Sequence, residues 1–179
     1  MFKRVSDKVF GVLNDFDLAY CAEYSEQPSS KHCTGTTPFI AYRLLSSKPK
    51  GGHVSRYDLE SVFYVLLIIC CHYEGLGRSI YWEERPYIKW FTESVDVVAA
   101  LKGTLILFDS GYLPIQPYFE DFRTWLDEIC TVFRRGHVDF LVNGGEKDYN
   151  FATLGGKISY AKLKEVMCSF QGTPLVQRW

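Results

Sequence analysis

None of the six cysteines, at positions 21, 33, 70, 71, 130 and 168, stands in C-x-x-C spacing with another. That absence removes the sequence support for a secreted disulfide framework or a paired-thiol metal site. Excess charge is lacking too: 20 Lys+Arg face 21 Asp+Glu, for a formal net charge of −1. There is then no basic field to hold a phosphate backbone or an anionic membrane, so neither nucleic acid nor a membrane is expected as a partner. Long apolar runs are missing. The longest, Val62 to Cys71, falls well short of the roughly 20 residues a bilayer-spanning helix needs. The chain opens without an apolar signal segment, and no repeat or low-complexity tract stands out. Together these absences predict a reducing, intracellular setting, cytoplasmic or nuclear.

What is present is enough apolar material for a core, with 179 residues of which 47% are hydrophobic. That size fits one folded unit. Residues 8–14 alternate apolar with small or polar positions and predict a short strand running into Asp15. Polar stretches from Ala22 to Ser30 and from Ser46 to Gly52 have loop composition, while order resumes between them from Pro38 to Leu45. Beyond residue 52, apolar residues three or four apart predict helices over about 58–73, 94–108, 117–135 and 159–170. The run from Val62 to Cys71 could also suit a buried strand, but with its flanks it exceeds usual strand length, and Asp58 supplies a helix start. The chain therefore reads as mainly α with a short β segment at the N-terminus.

Three short patterns in fixed order carry chemistry. Val12-Leu13-Asn14-Asp15-Phe16-Asp17-Leu18-Ala19 resembles the end of a protein-kinase strand followed by the Asp-Phe-Gly signature, with Asp17 in place of Gly. Thr34-Gly35-Thr36-Thr37-Pro38-Phe39-Ile40-Ala41-Tyr42-Arg43-Leu44-Leu45 resembles the run that closes a kinase activation segment. Arg56-Tyr57-Asp58-Leu59-Glu60-Ser61-Val62-Phe63-Tyr64-Val65-Leu66-Leu67 is similar to the long buried helix of a kinase lower lobe. Its Asp58 suits a helix N-terminus, where a carboxylate meets unpaired N–H groups and the positive end of the dipole.

In this order and spacing the three patterns resemble the fungal-type protein kinase family, over roughly residues 8–136. The resemblance implies a protein-kinase-like C-terminal lobe with the upper β-rich lobe absent. It divides the chain into a magnesium-binding motif and activation segment (8–45), a helical subdomain (46–136) and a tail (137–179). By the same resemblance Asp15 is the Mg²⁺ ligand, since phosphates held by a hard cation require an oxygen donor there. Thr36 is the substrate-side residue of the activation segment, and Asp58 braces the catalytic loop. Mg and ATP are the cofactors of the intact family.

The rest of a kinase's machinery does not appear. A Gly-rich loop, a strand Lys paired with a helix Glu, and a His-Arg-Asp loop would all precede Asp-Phe-Gly, whereas 14 residues precede Asp15. The expectation is a truncated lobe, catalytically silent by itself, needing no cofactor and acting as a pseudokinase-like binding module. The alternative is one part of an active Ser/Thr kinase completed by upstream sequence or another chain. Loss of the upper lobe should also uncover apolar groups around Phe16 and the top of the helix beginning at Asp58. A protein partner or self-association would then cover them.

Replacement parts elsewhere do not fit. Gly75-Leu76-Gly77 lacks a third Gly and reads as a loop after a helix, without a hairpin. His137-Val138-Asp139 with Asn143 is out of order and one residue short for a catalytic loop. Lys102 sits in helical periodicity and reads as a stem lying along a helix surface. Two departures fall at one corner. The family pattern has Glu where Arg43 stands, so a buried arginine partner would leave two unmatched charges. Tyr42 replaces a Pro or small residue. Cys70 and Cys71, adjacent on a helix, suit core packing. His32 with Cys33 and Cys21 lacks paired metal-ligand spacing. Ser25, Ser29, Ser30 and Thr34 lie where kinases are phosphorylated, though loops are rich in such residues for solvation alone.

Overall fold

The computed structural model describes residues 2–5, 8–11, 36–45, 54–108 and 112–175. Two compact units emerge, residues 1–34 and 35–179. In the first, β1 (Phe2–Val5) and β2 (Lys8–Gly11) pair antiparallel, with Phe2 opposite Gly11 and Val5 opposite Lys8. The expected strand over 8–14 is thus the second arm of a hairpin, seen over 8–11. Asp15, Phe16, Asp17, Cys21, Ser25, Ser29, Ser30, His32, Cys33, Thr34 and the 46–53 segment lie outside the described residues.

The second unit is mainly helical. A 3-10 turn (Thr37–Phe39) and α1 (Tyr42–Leu45) precede α2 (Ser55–His72). A two-stranded hairpin, β3 (Tyr73–Gly75) with β4 (Arg78–Ser79), follows. Then come α3 (Lys89–Thr92), α4 (Val95–Leu107), a 3-10 stretch (Pro117–Phe122), α5 (Arg123–Asn143), α6 (Tyr160–Val166) and a last hairpin of β5 (Ser169–Phe170) and β6 (Thr173–Pro174). No helix among the described residues is long and apolar enough to cross a membrane.

The spine is α2. Tyr57, Glu60, Phe63, Tyr64, Leu67, Ile68 and Cys71 are buried, and their three- and four-residue spacing puts them on one face of a 3.6-residue helix. Val62, Val65 and Ile69 remain exposed on another face. The helix starts earlier than expected, at Ser55, with Val54 as its cap residue, and Asp58 falls inside the first turn. The carboxylate still meets the positive end of the dipole from there. Cys70 and Cys71 are both buried, and burial pushes their thiols up to about 11 and about 12. They pack as small apolar groups.

Two segments depart from the sequence expectation for identifiable reasons. The segment 117–135 begins as 3-10 and runs on as α5 to Asn143, through Gly136. A Gly late in a helical pattern reads as a stop, but here it is a close approach. A methyl group at Gly136 would stand 2.7 Å from Ile158 Cδ1, where the returning chain crosses the helix. The boundary at 136–137 therefore lies within α5, and Leu154, Ile158 and Leu163 from beyond it join the same core as Phe63 and Phe133. Gly75-Leu76-Gly77 corrects a second expectation, because a hairpin does surround it, with Gly77 at φ +68°. Its arms are only two or three residues long, and no third Gly follows.

Candidate functional site

The segment Thr36–Leu45 turns a corner over the middle of the second unit. Thr36 is extended and exposed, and Pro38 opens the 3-10 turn, in which Phe39 N–H donates to Thr36 O at 2.8 Å. Proline suits that position because its fixed φ matches the turn and its missing N–H would have no partner there. Beneath the corner lie three buried polar side chains, Glu60 from α2, Lys102 from α4 and His137 from α5, that attach to it or to one another, with Arg56 of α2 beside them.

Glu60 is 1% exposed. Its Oε1 accepts the Tyr42 backbone N–H at 2.8 Å and the Tyr64 hydroxyl at 2.6 Å. Burial pushes its carboxyl pKa upward, and those two bonds, followed by the charges of Lys102 and Arg56, pull it back. Lys102 is wholly buried. Its Nζ donates to Thr37 O at 3.0 Å and Ile40 O at 2.6 Å, and it stands 4.2 Å from the Tyr64 ring centroid and 5.1 Å from that of Trp90. Burial lowers its pKa to about 7 against the steadying charge of Glu60. The expectation of a stem along a helix surface is therefore overturned. Lys102 shares the buried face of α4 with Val98, Ala99, Leu105 and Ile106, and its ammonium is satisfied by carbonyls and ring faces in place of water.

His137, from α5, closes the arrangement. Its Nδ1 is 3.3 Å from the Tyr42 hydroxyl, the two rings meet edge to face, and its Nε2 is 3.9 Å from Glu60 Oε2. Burial first, then the charges of Arg56 and Arg43, draws its pKa down to about 3. It is neutral at ordinary pH. Arg56 lies one turn before Glu60 on α2, its guanidinium between the rings of Tyr57 and Phe151 and its Nε donating to Phe151 O at 3.0 Å. Arg43 is not left as an unmatched charge, since it lies over the face of Phe140, 4.1 Å from the centroid. Tyr42 fits because its amide and hydroxyl both find buried partners.

Of the site residues expected from sequence, Thr36 is exposed at the corner, Asp58 is exposed in the first turn of α2, and Asp15 lies outside the described residues. His137, Asp139 and Asn143 fall within one continuous helix. There Asp139 accepts from Asn143 at 3.1 Å and from the Tyr149 hydroxyl at 3.0 Å, while His137 faces the buried side and meets Tyr42, so the three do not act together. Among the described residues no group of three or more His, Cys, Asp or Glu could hold a metal ion. Sequence reasoning missed Glu60, Lys102 and His137 as partners of the corner. The available signal was a charged or polar residue at apolar spacing: Glu60 with Phe63 and Leu67, Lys102 with Val98 and Leu105, His137 with Phe133.

Residues 3–70 match the family model for the fungal protein kinase. That span holds Asp15, Thr36, Asp58 and Glu60, and it ends within α2. No curated protein and no solved structure matches the chain.

Proposed function

Taking the fungal protein kinase match over residues 3–70 as the premise, we propose that the 35–179 unit is a kinase-like lower lobe. Its contribution is protein binding at the Thr36–Leu45 corner, without phosphoryl transfer by these 179 residues alone. The supporting observation is the anchorage of the corner: Lys102 and Glu60, both buried, hold the backbone of Thr37, Ile40 and Tyr42 from below. A backbone held at three points presents its outer side, Thr36 included, as a preorganised surface, and preorganisation lowers the ordering cost of binding. Phosphoryl transfer further requires phosphate-cradling amides, a phosphate-pairing Lys and a catalytic Asp. The sequence offers no Gly-x-Gly-x-x-G or His-Arg-Asp pattern, and Lys102, deeply buried, is occupied by carbonyls.

A second reading, that the chain is one part of an active Ser/Thr kinase, is favoured by the exposure of Thr36 and by Asp58 in the first turn of α2. In that case Asp15 is the Mg²⁺ ligand, Thr36 the substrate-side residue and Asp58 the brace of a catalytic loop supplied from elsewhere. Calorimetric titration of the purified chain with Mg-ATP separates the readings. The binding-module reading expects no saturable heat, and a micromolar dissociation constant overturns it.

A further inference from the structure

The corner hangs on a group that can lose its charge. Lys102 Nζ is a donor shared by Thr37 O and Ile40 O, the two carbonyls that bracket the 3-10 turn. The turn's own bonds are Phe39 N–H to Thr36 O at 2.8 Å and Ile40 N–H to Thr37 O at 3.3 Å, the second long for its kind. A charged donor makes hydrogen bonds roughly twice as strong as a neutral one. The attraction of the Tyr64 and Trp90 ring faces likewise needs a cation. A neutral amine at the same place keeps two N–H groups but loses both advantages.

We propose that Lys102 is the positioning residue of the Thr36–Ile40 corner, and that the protonation state of this one buried lysine sets how firmly the corner is held. This rests on reading the corner as a binding surface only for its biological meaning; the device itself stands on the geometry. Burial places the titration of Lys102 at about 7, so the change falls where small shifts in pH act. Other ionisable groups approach it from the elements packed around it. From α2, Glu60 favours the ammonium, and Tyr64 keeps its proton because burial and Glu60 raise its pKa well above 10. Arg56 on the same helix, its pKa lowered by burial from its ordinary value, stays charged, and Arg43 on α1 lies over the Phe140 ring. Tyr42 on α1 is raised above its ordinary value, and His137 on α5 titrates at about 3. From α3 the group facing Lys102 is the Trp90 ring. Glu60 is the remaining group able to respond, and its ionisation with rising pH strengthens the ammonium, opposing the effect.

The experiment is an NMR titration of the whole chain from about pH 5.5 to 9, a range that brackets the ordinary switching region of a lysine brought near neutrality, following the Lys102 side-chain carbon and nitrogen shifts together with amide exchange at Phe39 and Ile40. Lys102 is expected to titrate near neutrality, with exchange at both amides rising in step beyond its intrinsic increase with pH. A Lys102 that stays charged throughout overturns the proposal, as do amides indifferent to its titration. Lys102→Met is expected to leave the two amides poorly protected at every pH, and Lys102→Arg to keep them protected without the pH response. The wild-type titration decides if either variant fails to fold. Binding of a Ser/Thr-centred peptide library, read by fluorescence polarisation on either side of neutral pH, tests the other premise. Amides that respond while no peptide binds would sustain the Lys102 device and overturn the binding-surface reading.

Discussion

The guanidinium of Arg43 lies over the Phe140 ring, 4.1 Å from its centroid, so the charge that the family pattern places with opposite sign has here an aromatic partner from the far end of α5. A cation over an aromatic face contributes about 0.5–2 kcal/mol depending on desolvation. Arg43→Glu should therefore lower the thermal midpoint by a few degrees, from the lost ring contact. A rise in the calorimetric midpoint would show that a buried cation elsewhere had been waiting for the family's glutamate.

His137 gives the unit an acid sensitivity. Its pKa is drawn from the ordinary 6.5 to about 3. Between those values the unfolded chain binds a proton that the folded one refuses, so stability is fully present above about 6.5 and falls as the pH drops. Each unit of that descent costs about 1.4 kcal/mol. Glu60 acts with opposite sign, since its raised pKa makes the folded state the better proton binder above 4.5. The comparison of wild type with His137→Phe isolates the histidine: chemical denaturation at about pH 7 and about pH 5 should show a smaller loss in the variant. Equal losses would mean that folding leaves the His137 pKa unshifted, and a larger loss in the variant would mean that His137 is charged in the fold.

Gly136→Ala weighs helix propensity against packing. Alanine gains about 1 kcal/mol inside a helix, yet its methyl would stand 2.7 Å from Ile158 Cδ1 and 2.8 Å from Cγ1, with Ile158 only 1% exposed. Overpacking of this kind typically costs about 1–3 kcal/mol. The net expectation is a loss of about 1 kcal/mol by urea denaturation. Ile158→Val, which removes Cδ1, should be less damaging in the Gly136→Ala background than alone. Additive effects in the cycle would place the clash elsewhere.

The thiols should sort by burial. Cys168 is exposed, whereas Cys70 and Cys71 are buried with pKa values pushed up to about 11 and about 12. Only the thiolate reacts. In the native protein iodoacetamide should label Cys168 well before Cys70, Cys71 or Cys130, as mapped by peptide mass spectrometry, and denaturant should erase the difference. Rapid native labelling of Cys71 would contradict its place in the core.

Features that repeat along the chain, or sit close together in it, are legible from the residues alone. The buried spine α2 follows from apolar residues three and four apart, the return of order at Pro38 from the polar stretches on either side, and the kinase resemblance from three patterns in succession. The misreadings have a common cause. A helix pattern says which face is buried and nothing of what that face meets, so Lys102 reads as a surface stem although it lies on the face of Val98 and Leu105. The periodic pattern gives out at about 135, and only the crossing chain at Ile158 shows why the helix passes on through Gly136. Arg43 reads as unmatched because its partner, Phe140, stands 97 positions along the chain (140 minus 43). Buried polar groups need partners wherever the chain can bring them. Which partners those are depends on packing between distant segments, and here it joins Tyr42, Glu60, Lys102 and His137 from four helices under one corner.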